Sequence, residues 1–251
     1  HGSIENMVEN METSFVESDG LSIAYQLWGR GARNLVVVPG MVSHLEAPLE
    51  RPGYIQWINA ISSMGRLIVF DKRGNGMSDR IQGAPTLDER VMDIEAVMDA
   101  ADMDSATLIG VSEGASLACV YAAMRPERVE RLALCGGYAR GRLARGYLSE
   151  DGLDQALIQF RKNWGKPNQP HPFSGFGPDP DDTEGQKAFA QFQRMSATPT
   201  TVASLFELAA RIDIRALLPS ISQPTLVIHR EDEEPNGREA AEDILYLIPA
   251  T

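Results

Sequence analysis

Residues 106–124 read ATLIGVSEGASLACVYAAM, and this stretch decides the fold. Residues 106–109 form an apolar β-type run, whereas residues 115–124 are rich in Ala and hold no helix breaker. Between them stands Gly110-Val111-Ser112-Glu113-Gly114. A strand that turns at once into a helix puts one residue on a sharp corner, where neighbouring side chains would collide; Gly110 and Gly114 leave the room. Ser112 occupies that corner and is the candidate nucleophile. A bare Gly-x-Ser-x-Gly string arises by chance, so its specificity comes from the strand before it and the helix after it.

Outward from this unit, the chain keeps alternating. Residues 132–134 read as the next strand, and the earlier apolar runs at 35–38 and 67–70 look buried on both faces, as parallel strands are. Helical spacing lies between those two runs at 54–64. Thr86 caps a further helix, Glu89 closes its capping box, and Val91, Ile94, Val97 and Met98 form its inward stripe. Residues 13–17 and 21–27, separated by Ser18, Asp19 and Gly20, predict a hairpin at the sheet edge. Together these signals predict an α/β fold with a mostly parallel central sheet, right-handed crossovers and helices on both faces.

The pattern changes after Tyr138. Residues 141–215 carry no strand signal but hold helical stretches at 153–163 and 186–195 and a loop rich in Pro and Gly at 166–184. This predicts a helical cap insertion above the sheet, with that loop the first site of proteolytic cleavage. Residues 224–229 resume the sheet and 238–247 form a helix. The map is therefore a tail at 1–11, opening with His1, Gly2 and Ser3 as the remnant of an expression tag, a core at 12–140, a cap at 141–215 and the rest of the core at 216–251.

Composition narrows the function classes. The 251 residues carry 35 acidic and 23 basic side chains, a formal net charge of -12. Such a surface repels phosphate backbones and anionic lipid heads, which argues against nucleic-acid binding and favours neutral substrates. No apolar run approaches the roughly 18 residues that span a bilayer, and no basic leader precedes one, so no membrane span and a cytoplasmic location are expected. Cys119 and Cys135 sit in apolar segments rather than at metal-ligand spacing and read as reduced core thiols. Neither a metal nor an organic cofactor is predicted.

A nucleophilic serine needs amides to hold the developing oxyanion, supplied by the residue after it and by the loop after an earlier strand. Those are Glu113 and, in Val38-Pro39-Gly40-Met41, the amide of Met41. The acid that would orient a catalytic histidine belongs after a late strand, and Asp232 lies there; the end of strand 132–134 offers only Cys135, Gly136 and Gly137. None of the four histidines follows Asp232. His1 belongs to the tail, His171 is expected at the surface of a Pro-rich loop, His229 lies on a strand, and His44 borders the pocket. The charged residues of 71–79 are expected to brace the oxyanion loop rather than perform chemistry. Phe160, Trp164, Phe173, Phe176 and Phe189 predict an apolar substrate cavity.

Several ordered motifs carry a resemblance. Residues 39–46 (PGMVSHLE), 70–74 (FDKRG), 110–114 (GVSEG) and 224–230 (PTLVIHR) together resemble the α/β hydrolases fused to class III adenylate cyclases in actinobacteria, over roughly residues 12–251 and most weakly in the cap. The resemblance implies an α/β-hydrolase fold with eight strands, Ser112 as nucleophile and Asp232 as the orienting acid. It also implies a last strand and a histidine loop about ten residues beyond Thr251, and a C-terminal nucleotide cyclase as partner. The implied activity is that of an esterase or lipase acting on a small apolar ester through an acyl-enzyme. The rival reading is a ligand-sensing module that regulates the cyclase without turnover; perhydrolysis and amide cleavage are other reactions of the same fold.

Overall fold

The computed structural model describes residues 12–173, 177–230 and 238–249. Seven strands form one sheet among these residues: β1 (Ser14–Ser18), β2 (Leu21–Trp28), β3 (Asn34–Val38), β4 (Arg66–Phe70), β5 (Ala106–Val111), β6 (Val129–Cys135) and β7 (Thr225–Ile228). Their spatial order is β1-β2-β4-β3-β5-β6-β7. The first hairpin is antiparallel and β2 also runs antiparallel to β4, while every later pairing is parallel. Asp19 and Gly20 close the hairpin with φ of 52° and 76°. A two-residue turn with both φ positive matches the twist of the flanking strands, and Asp-Gly is suited to it.

The central strands are buried on both faces because side chains alternate along them. Val36, Val38, Ile68, Phe70 and Leu108 point into one apolar cluster, while Leu35, Val37, Leu67, Val69 and Ile109 point into another. The second cluster is covered by α1 (Pro52–Ser62) through Ile55 and Ile58. The first is covered by α2 (Leu87–Ala100), α3 (Glu113–Met124) and α7 (Arg238–Leu247). The capping box of α2 is present: the Glu89 amide donates to Thr86 Oγ at 3.2 Å, and the Thr86 amide donates to Glu89 Oε2 at 2.6 Å.

Three α-helices among the described residues separate β6 from β7: α4 (Glu150–Asn163), α5 (Thr183–Ser196) and α6 (Pro199–Arg211). Helices α4 and α6 share an apolar cluster that includes Leu153, Leu157, Phe160, Val202, Leu205 and Phe206, joined by Trp164, by Ala197 just after α5 and by Met41. The sequence reading starts α4 and α5 three residues late, because Ser149 and Asp182 cap them from polar positions without apolar periodicity. It misses α6 altogether. Thr198 accepts a hydrogen bond from the Thr201 amide at 3.1 Å and Pro199 occupies the first turn; this Thr-Pro pair is a helix-start signal. No helix among the described residues is long and apolar enough to cross a membrane.

Candidate active site

Strand β5 ends at Val111 and α3 begins at Glu113, so the reversal falls on Ser112 alone, at φ 53° and ψ -122°. The other described non-glycine residues with positive φ are Asp19, Asp102 and Asn168, types that tolerate it. Ser112 has no such tolerance, and strain of this kind persists only where the surroundings enforce it. The Ser112 amide donates to the Cys135 carbonyl at 2.8 Å, tying the corner to β6.

The two glycines are required by packing. A Cβ on Gly110 would lie 2.4 Å from Ala115 Cα, and one on Gly114 would lie 2.2 Å from the Val38 carbonyl oxygen and 2.4 Å from that of Pro39. Gly114 therefore lets α3 press against the loop after β3. Gly114→Ala should cost about 1–3 kcal/mol, as overpacking does, and should slow any reaction of Ser112 by pushing that loop away. Urea unfolding checks it; an unchanged midpoint would show that the backbone yields freely.

Because the Ser112 amide is committed, the next donors matter. Glu113 opens α3, where an amide has no acceptor one turn back and the helix dipole favours negative charge. On the opposite side, a Cβ on Gly40 would stand 3.6 Å from Ser112 Cβ, so residues 39–41 run directly beside the serine. Met41 and Glu113 line the same cavity as Ser112.

Asp71 braces that loop. Its carboxylate accepts from Ser43 Oγ at 2.6 Å and from the amides of Leu45 at 3.1 Å and Met77 at 2.9 Å. Burial raises its pKa, and the three hydrogen bonds oppose that rise. Of the charged residues in 71–79, Asp71 thus holds the segment after β3, whereas Lys72 pairs with Glu113, Arg73 with Asp93, and Asp79 accepts from the Ser22 amide of β2.

Sequence reasoning gave no sign of the charge cluster beneath the serine. The Glu113 side chain is buried and accepts from Lys72 Nζ at 2.7 Å and pairs with Arg90 through its other oxygen. Burial pushes the Glu113 carboxyl up, yet Arg90 and Lys72 outweigh this and hold its pKa at about 2. Burial brings Lys72 down to about 8, with Glu113 opposing. Nothing periodic links residues 72, 90 and 113, so no pattern could have joined them.

The cavity above Ser112 has a volume of about 330 Å³. Trp164, Phe173 and Phe189 form part of its wall as expected, and Phe192 and Phe206 add to it. Phe160 is instead fully buried in the cluster behind the wall, and Phe176 lies outside the described residues. Besides Ser112 and Glu113, the polar side chains that line this apolar space are Tyr138, Arg142 and Gln193.

The histidines fall elsewhere. His44 Nδ1 accepts from the amides of Glu46 and Ala47, both at 3.1 Å, and its ring lines a second cavity that shares Val42 and Phe192 with the first but does not contain Ser112. His171 is not a surface residue: it is 8% exposed and stacks on Phe160 at 5.9 Å, because the loop folds it under α4. His229 is half-buried at the end of β7. Asp232 lies outside the described residues. Among the described residues no histidine lines the Ser112 cavity, and no cluster of three potential metal ligands occurs. Both cysteines are free thiols, and burial pushes Cys119 up to about 12.

Known proteins give a consistent picture. A family model described as alpha/beta hydrolase fold matches residues 34–249. The chain is 28% identical over 178 residues to 3-oxoadipate enol-lactonase 1 of Acinetobacter baylyi, covering 68% of this chain and 62% of that protein. It is 33% identical over 105 residues to a protein of Azorhizobium caulinodans named as a carbamate hydrolase, RutD, covering 42% and 36%. The chain thus spans less than two thirds of each of these curated relatives. An esterase from Exiguobacterium antarcticum shares the fold with a TM-score of 0.73 at 22% identity, over 95% of this chain and 88% of that one.

Proposed function

We propose, from the premise that this chain belongs to the alpha/beta hydrolase fold family, that it hydrolyses carboxylic esters through an acyl-enzyme on Ser112. The observation that carries the reading is Ser112 held at positive φ on the strand-to-helix corner, at the wall of an aromatic-lined cavity.

In this mechanism Ser112 Oγ attacks the ester carbonyl while a histidine takes its proton. The oxyanion is held by the amides of Met41 and Glu113, and the same histidine returns the proton to the leaving alkoxide. Water then attacks the acyl-enzyme, again with the histidine as base, and releases the acid. The family resemblance supplies the histidine from a segment after Thr251, with Asp232 orienting it. Support for ester cleavage comes from the relatives' names: an enol-lactone is a cyclic ester, and a carbamate presents a comparable carbonyl. The nucleotide-cyclase partner rests on the sequence resemblance alone.

A fluorophosphonate probe uses the same nucleophile and oxyanion site as an ester. Mass spectrometry of the labelled protein should find one adduct, on Ser112, and Ser112→Ala should remove it. An adduct that persists in Ser112→Ala places the nucleophile at another residue. Saturable ester binding with neither label nor turnover is the outcome of the sensor reading.

A further inference from the structure

We propose that the Ser112 cavity takes an ester bearing a free carboxylate, a half-ester of a short dicarboxylic acid, and that Arg142 is the residue that selects it. The ester end of this substrate rests on the proposed hydrolase reading. The carboxylate end rests on the surroundings of Arg142, whose local positive charge inside the cavity acts against the net charge of -12 that by itself favours neutral substrates.

Arg142 lines the same cavity as Ser112 and is half-buried there. Of the other buried or half-buried arginines, Arg73, Arg90, Arg125, Arg128 and Arg140 each face a carboxylate, Asp93, Glu113, Glu95, Asp99 and Asp243 respectively, Arg66 donates to the Ala101 carbonyl, and Arg145 stands over the rings of Tyr138 and Tyr147 away from the cavity lining. Arg142 has no carboxylate partner among the described residues. Its guanidinium stands 5.8 Å from the centre of the Phe206 ring, which leaves its five N–H donors without a fixed acceptor. Removing a guanidinium from water without an anion is unfavourable, and burial lowers the pKa of Arg142. A bound carboxylate would supply the missing partner in bidentate geometry.

The backbone holds the arginine in place for this task. The Gly141 amide donates to Ile212 O at 2.8 Å and the Leu143 amide to Ala210 O at 3.0 Å, while the Arg142 carbonyl accepts from Tyr147 at 2.9 Å. A Cβ on Gly141 would lie 2.0 Å from the Ala209 carbonyl oxygen, so the segment is pressed onto α6, the helix that also carries Phe206. The backbone that carries the guanidinium is thus already ordered, so binding has only the Arg142 side-chain torsions left to fix. A cavity of about 330 Å³ is at the small end of ligand sites, which run from about 300 Å³ to 1,000 Å³, and suits a short chain between the two carbonyl groups.

The test uses the Ser112→Ala protein, so that binding is read without turnover, with monoethyl adipate and diethyl adipate as probes in calorimetry at low salt. The half-ester should bind about 10- to 100-fold more tightly than the diester, as expected of one charge-assisted pair. Adding Arg142→Gln should abolish the preference by weakening half-ester binding far more than diester binding, without lowering thermal stability, since the free protein loses an unpaired half-buried charge, and Arg142→Lys should retain part of the preference. Equal affinity for the two probes, or a preference that survives Arg142→Gln, overturns the proposal. Fluorophosphonate labelling of the protein with Ser112 intact reads the hydrolase proposal separately. A half-ester preference lost in Arg142→Gln therefore supports the arginine's role even if Ser112 fails to label.

Discussion

In any form of the protein that hydrolyses p-nitrophenyl butyrate, Ser112→Ala should lower kcat by about four to six orders of magnitude. Losing one member of a serine triad has that effect, and about 10³- to 10⁴-fold catalysis over water remains from the oxyanion site and binding. The residue is small enough for Ala to fit the corner, although Ala has no more tolerance of φ 53° than Ser does, so folding should be preserved. His44→Ala is the informative companion. Its Nδ1 already accepts two backbone amides, and the ring faces a different cavity, so turnover should change less than about threefold, a ΔΔG‡ below about 1 kcal/mol. Turnover of wild-type magnitude in Ser112→Ala would remove the serine from the mechanism. Abolition by His44→Ala would make His44 the base and displace the downstream histidine.

What could be read from the sequence follows from how local each signal is. The elbow was legible because strand, glycines and helix are neighbours in the chain, and the capping box of α2 because its two members are three residues apart. The hairpin turn was legible from Asp19-Gly20 for the same reason. Helix α6 was missed since Thr200, Thr201 and Val202 lower helical propensity in its first turn, and its stability comes from packing Val202, Leu205 and Phe206 against α4. His171 was expected outside because Pro and Gly surround it; only the tertiary position of that loop beneath α4 buries it. The Lys72–Glu113–Arg90 cluster was invisible on the same ground. Three charged residues on three different elements meet only when the sheet forms, and each alone reads as solvent-exposed. Arg142 likewise stands out only once the fold places it in the Ser112 cavity without a carboxylate beside it.

That cluster carries the second large effect. Glu113→Gln should destabilise the protein by about 3–5 kcal/mol at pH 7, the range found when one member of a buried ion pair is removed. Two cations, Lys72 and Arg90, then share a buried site without their counter-charge. Such a loss is a large part of the total stability of a domain, about 5–15 kcal/mol. The pH dependence distinguishes this cause from a packing defect. The folded-state pKa of Glu113 lies near 2, below its ordinary 4.5. A depressed carboxylate contributes stability that is fully present above about 4.5 and is lost as pH falls through about 2. The gap between wild type and Glu113→Gln should therefore narrow from pH 4.5 downward, because the unfolded wild-type chain takes up a proton there that folded Glu113 does not bind until about pH 2. Lys72 acts in the opposite range. Its folded pKa of about 8 lies below the ordinary 10.5, so the unfolded chain binds more protons between these values and wild-type stability gains from this group as pH rises across that window. Urea unfolding at pH 7, 4 and 3 measures the first effect. A Glu113→Gln penalty below about 0.5 kcal/mol at pH 7, the range of ordinary surface substitutions, or one that stays constant down to pH 3, would show that the buried carboxylate is not what holds Lys72 and Arg90 beneath the serine.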